Sequence, residues 1–127
     1  MDSLIRFTLE RAKEDLDYAI KCIEENNLRF AVDRAYYTIY HSIRAILFLE
    51  QKDLKEESEL IAYFNQHYIN TNLFPSDLYN LISDVQRIRN LHNYDDLYTV
   101  SVYETEKQVE NAKLIYDSIE KYIKSQE

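Results

Sequence analysis

The sequence predicts an all-α fold, a four- to five-helix up-and-down bundle, on three observations. The 127 residues include no glycine and a single proline, Pro75. Glycine supplies the positive-φ positions of tight hairpins and phosphate-cradling loops, so its absence excludes a hairpin-rich β fold, P-loops and dinucleotide turns. Apolar residues also recur at steps of three and four, the period of a helix with one buried face. Finally, 46% hydrophobic and 30% charged residues suit a soluble globular chain rather than a disordered one. At this length one domain is expected, residues 1–127.

The first helix is expected from Asp2 to about Asn26. Leu4, Ile5, Leu9, Ala12, Leu16, Ala19, Ile20 and Ile23 form its stripe, Asp2 or Ser3 can cap its start, and Asn26-Asn27 stops it. A second helix runs from Leu28 to about Gln51. Its segment FAVDRAYYTIYHSIRAILFLE is apolar or aromatic on nearly every side, which marks the central, most buried helix. A third, from about Glu56 to Ile69, carries Leu60, Ile61, Phe64 and Tyr68. Pro75 then suits the first turn of a fourth helix, striped by Leu78, Leu81, Ile82, Val85 and Ile88. After the connection DDLYTVS, Ser101-x-x-Glu104 is a capping-box pattern opening a last helix with Val102, Thr105, Val109, Ala112, Tyr116, Ile119 and Ile123 on one face.

Charge and residue usage narrow the function. The formal net charge is −8, which argues against a general nucleic-acid binder while leaving room for a small basic site. The one cysteine, Cys22, allows neither an internal disulfide nor a cysteine-based zinc site. No apolar run is long enough to span a membrane, and the opening MDSLIRF lacks a basic-then-apolar leader, so the cytoplasm is the expected compartment. His41, His67 and His92 show neither an HExxH motif nor an i, i+4 pair of histidines, so no metal site and no cofactor are expected, and His67 reads as a surface residue.

Two polar groups stand out. On the otherwise apolar second helix, Arg34, Tyr37, His41 and Arg44 fall at i, i+3, i+7 and i+10. Buried arginine is costly unless paired, so this stripe either bridges acids on neighbouring helices or walls a cleft. The other group is VQRIRNLHNYDDLY, residues 85–98. If the fourth helix continues through His92, Arg89 and His92 share a face while Arg87 points roughly 140° away. For Arg87 to meet His92, the helix must unwind near Asn90, or the two must meet across a subunit interface. These residue types suit phosphodiester cleavage without a metal. A histidine titrating near neutrality can shuttle the 2′-hydroxyl proton, and an arginine can hold the phosphate and its developing charge. The substrate would be RNA, which carries its own nucleophile. An Arg and a His at a helix C-terminus also simply complement its dipole.

Together FAVDRAYYTIYHSIRAIL, residues 30–47, and RIRNLHNYDD, residues 87–96, resemble the HEPN family of small helical domains along essentially the whole chain. The first looks like that family's second helix with its Arg-Ala-Tyr-Tyr, and the second fits the R-x4-H-x-Y spacing of its toxin branch through Arg87, His92 and Tyr94. The resemblance implies a homodimer with a shared cleft and a metal-independent endoribonuclease. It also implies an antitoxin partner, a minimal nucleotidyltransferase that adenylylates Tyr94. Arg87 would bind phosphate and His92 would act as acid and base, with Arg89, Asn90, Tyr94, Arg34 and His41 in support. A second register, Arg89-x-x-His92-Asn93-Tyr94-Asp95-Asp96, is similar to an uncharacterised R-x-x-A-D-Y branch. It implies a non-catalytic module that binds a nucleotide or its nucleotidyltransferase partner. A structural dimer whose polar cluster only satisfies an interface is a third reading.

Overall fold

The computed structural model describes residues 1–95 and 97–127; Asp96 lies outside the described residues. Among these, five α-helices follow one another: α1 (Ser3–Glu24), α2 (Leu28–Leu47), α3 (Glu57–Phe64), α4 (Asp77–Tyr94) and α5 (Val102–Ser125). The all-helical bundle expected from the sequence is what the chain forms. Asp2 caps α1 by accepting from the backbone N–H groups of Leu4 and Ile5, and Ser101 caps α5 through the N–H of Glu104.

Without glycine, the turns use other residues at positive φ: Asn26 after α1, Gln51 after α2 and Asn72 before α4. Asparagine tolerates this region best among the non-glycine residues. The second helix is shorter than its pattern suggests, because a 3₁₀ turn over Phe48–Glu50 tightens its end and Gln51 turns the chain. The third ends at Phe64 as an α-helix and continues as one π-helical turn, Asn65–Ile69. Pro75 precedes the N-cap residue Ser76 rather than entering the first turn of α4.

Helix α2 is the central element and packs against α1, α3, α4 and α5. Its Ile39, Ile43, Ile46 and Leu47 are fully buried with Leu16 of α1, Leu60 and Phe64 of α3, Ile82 of α4, and Ile115 and Ile119 of α5. Each such side chain contributes about 1.5–3 kcal/mol by burial. A smaller cluster stands apart: Val32 of α2, Ile88 of α4 and Val100 before α5, flanked by Leu28, Leu91 and Tyr98. It ties the last turns of α4 to the first turns of α2, and so fixes what the polar residues of α4 face. No described helix is long and apolar enough to cross a membrane.

Candidate functional site

The α4 helix does not unwind at Asn90; it runs unbroken to Tyr94. Helical geometry therefore decides the facing of every candidate on it. His92 lies four residues beyond Ile88, so the packing that buries Ile88 also buries His92, which is 6% exposed. Its partner is a residue the sequence pattern did not single out. Arg29, in the first turn of α2, donates from Nε to His92 Nε2 at 2.9 Å and from Nη2 to the His92 carbonyl oxygen at 3.1 Å. The only hint in the sequence is a cation in a helix's first turn, where the dipole disfavours it and some other contact must hold it.

An arginine can only donate, so His92 Nε2 bears a lone pair and the ring's proton sits on Nδ1. Burial pushes the His92 pKa below the ordinary histidine value and the Arg29 charge pushes it further, against an opposing effect of Asp33. The imidazole is therefore neutral at pH 7. It lines a polar cleft of about 510 Å³ with Asn27, Arg29, Asp95, Tyr98 and Thr99.

Arg89 shares the His92 face, as the three-residue spacing requires. Its guanidinium lies 4.4 Å from the centre of the Tyr36 ring and 5.8 Å from that of Tyr37, and donates to Glu57 Oε2 at 3.3 Å. Tyr36 donates to the same oxygen at 2.8 Å. Burial, with that hydrogen bond, raises the Tyr36 pKa far above its usual value. The Arg-Ala-Tyr-Tyr segment thus receives Arg89, tying α2, α3 and α4 at one point.

Arg87 faces elsewhere. It donates to Asp84 at 2.7 Å and stands 3.9 Å from Glu104 of α5. Burial alone would raise the Asp84 carboxyl, but hydrogen bonds from Gln108 and Arg87 outweigh it and hold it below the usual range. With Asn90, Leu91, Tyr94 and Asp95, Arg87 lines a separate shallow groove of about 370 Å³. Arg87 and His92 therefore occupy different grooves on either side of the last turn of α4, and within one chain they do not meet. Tyr94 stands 80% exposed.

The stripe on α2 turns toward α1. Arg34 bonds Asp15 at 3.1 Å, His41 Nε2 lies 3.6 Å from the same carboxylate, and Arg44 bonds Asp53. His41 is largely uncharged at pH 7, since burial and the nearby Arg11, Arg44 and Arg34 outweigh the pull of Asp15. Of the stripe, only Tyr37 reaches the α4 residues, through Arg89. Arg34 and His41 bridge to the acid of a neighbouring helix instead of walling the His92 cleft. His67 is exposed and stacks on Tyr63 with ring centres 4.1 Å apart. Among the described residues no group of three or more His, Cys, Asp and Glu side chains is placed to hold a metal ion.

A family model described as "HEPN domain" matches residues 5–124. The chain belongs to the HEPN family. Among its curated relatives, "Putative toxin MJ0605" of Methanocaldococcus jannaschii is 32% identical over 94% of this chain and 89% of the relative. A second protein of that organism, "Putative toxin MJ0142", is 23% identical over 91% and 78%. A "UPF0332 protein" of Thermotoga maritima is 25% identical over 96% and 92%. The HEPN fold is also that of TT1696 from Thermus thermophilus, whose crystal structure superposes with a TM-score of 0.76 at 17% identity, covering 92% of this chain and 96% of the other.

Proposed function

We propose that this HEPN protein is a toxin-type endoribonuclease that cleaves RNA without a metal ion, with its cleft completed across a homodimer. The observation that carries the reading is His92, buried, neutral at pH 7 and open to a polar cleft. A neutral imidazole accepts the proton of a ribose 2′-hydroxyl, whose oxygen then attacks the adjacent phosphorus to give a 2′,3′-cyclic phosphate as the bond to the 5′-oxygen breaks, and the departing 5′-oxygen takes a proton from water. Arg87 takes the phosphate from the other subunit, because its own His92 lies on a different face of the helix. Two relatives with "Putative toxin" in their names support an assignment to a toxin–antitoxin pair, and this reading places that pair in the cytoplasm. The antitoxin in this reading is a nucleotidyltransferase that modifies the exposed Tyr94.

The deciding experiment incubates purified protein with RNA in EDTA. Wild type degrades the RNA and His92→Ala does not; if both leave it intact, the ribonuclease reading fails. A second reading then leads, in which the chain is a binding module for a nucleotide or a nucleotidyltransferase surface. It is favoured by one observation: Arg87 is already engaged by Asp84 and Glu104.

A further inference from the structure

We propose that Arg29 is a displaceable clamp on His92, covering Nε2 in the free protein and drawn off by a phosphate of the bound RNA strand, which uncovers the imidazole. The inference rests on the ribonuclease reading for its substrate, but its argument is geometric. In the free protein the Nε–H of Arg29 occupies the one lone pair by which His92 could accept a proton. The second bond, from Nη2 to the His92 carbonyl, makes the arrangement two-pronged and fixes the guanidinium against the end of α4. While both bonds stand, His92 has no free basic atom, so a chain acting through His92 must release this clamp first.

The exchange runs downhill for an anion. A guanidinium held by a neutral imidazole and a carbonyl bonds to uncharged acceptors, whereas a phosphate offers anionic oxygens matched to its fork and so adds the attraction of opposite charges. Arg29 is exposed and lines the same cleft as His92, so it can turn toward an incoming strand without rearranging the core. Its place in the first turn of α2, where the helix dipole opposes a cation, adds to the gain when an anion arrives. Among the described residues, the other charged or titratable groups around His92 are Asp33 of α2 and, lining the cleft, Asp95 and Tyr98. Asp33 acts on His92 in the opposite sense to Arg29. Its Oδ1 is buried without a hydrogen-bond partner among the described residues, so its charge is left to favour the imidazolium once Arg29 has moved. Substrate binding would thus switch His92 from a capped neutral ring to a working base.

The experiment follows the ring nitrogens of His92 by NMR in the full chain, with and without a 2′-O-methyl oligonucleotide whose nucleophile is blocked. In wild type, the oligonucleotide should alter the Nε2 signal and move the His92 titration upward. Arg29→Ala should raise that titration in the free protein and remove any further response to the oligonucleotide. Arg29→Lys, which keeps the charge and loses the fork, should fall between them. With cleavable RNA, Arg29→Ala should raise KM on the order of tenfold or more, as expected for loss of a charged phosphate contact. An Arg29→Ala chain that titrates and responds like wild type would overturn the clamp, even if RNA is cleaved. A wild type that never cleaves RNA, yet whose His92 responds to the oligonucleotide through Arg29, would sink the ribonuclease reading and leave the clamp standing.

Discussion

Arg87 bonds Asp84 at 2.7 Å, one turn back along α4, and so lies on a different side of the helix from His92. The relationship separates what Arg87 does for stability from what it does for activity. Its side chain is 57% exposed, and solvent-screened pairs of this kind contribute about 0–1 kcal/mol. Arg87→Ala should therefore shift a urea unfolding midpoint little while abolishing RNA cleavage. Mixing unfolded Arg87→Ala and His92→Ala chains and refolding them together should restore about a quarter of wild-type cleavage. Half of the dimers would then be mixed, each with one intact site of two. Mixtures as inert as either variant alone would rule out a site shared between subunits.

Arg89 makes the contrasting case. It lies over the Tyr36 ring and against Glu57, with its Nε buried and without a partner among the described residues. Arg89→Ala should cost about 2 kcal/mol by leaving the Tyr36 ring and the Glu57 carboxylate without their cation. Arg89→Lys should recover only part of that, since an ammonium lacks the flat face that stacks. Chemical denaturation of the three proteins checks the order, and a lysine variant as stable as wild type would show that charge alone suffices.

The small cluster beneath the site gives a third expectation. Ile88 is 2% exposed between Val32 and Val100. Ile88→Ala should destabilise by about 2–4 kcal/mol through lost burial and a residual cavity. Because Ile88 and His92 share a face one turn apart, the same change should loosen His92. Faster amide exchange at the end of α4 than in α5 would register that effect.

Two histidines set the pH dependence of folding. Burial holds the folded-state pKa values of both His41 and His92 below the ordinary 6.5. The unfolded chain therefore takes up protons first as pH falls. The stability from both neutral rings is complete above about pH 6.5 and declines as pH drops below it toward the folded values. Urea midpoints should be lower at pH 5.5 than at pH 7.5. The difference should shrink in His92→Gln. A flat profile over that interval would contradict the burial argument, because carboxylates titrate below it.

What could be read in the sequence follows the range of the interactions involved. The helices are legible because each carries a local apolar period, and spacing along one helix puts Arg89 on the His92 face. The helix end at Leu47 was less legible, since Phe48 and Leu49 continue the apolar pattern while the backbone tightens into a 3₁₀ turn. Arg29 is not legible in the sequence because its partner is 63 residues away, and the packing of α2 on α4, Val32 and Ile88 included, brings the two together. The stripe of Arg34 and His41 was visible, but whether it met α1 or α4 depended on the angular setting of α2, which no local pattern encodes.

The two grooves flanking α4 share Asp95 and otherwise divide its last turn between them. Tyr94 belongs to the groove of Arg87, and His92 to the other. A nucleotide attached to the Tyr94 hydroxyl would therefore add bulk and negative charge beside Arg87 and leave the imidazole's own chamber empty. In the proposed dimer, such a modification would act as a wedge between this groove and the other subunit's His92. The chemistry of His92 would remain intact and recoverable once the wedge is removed.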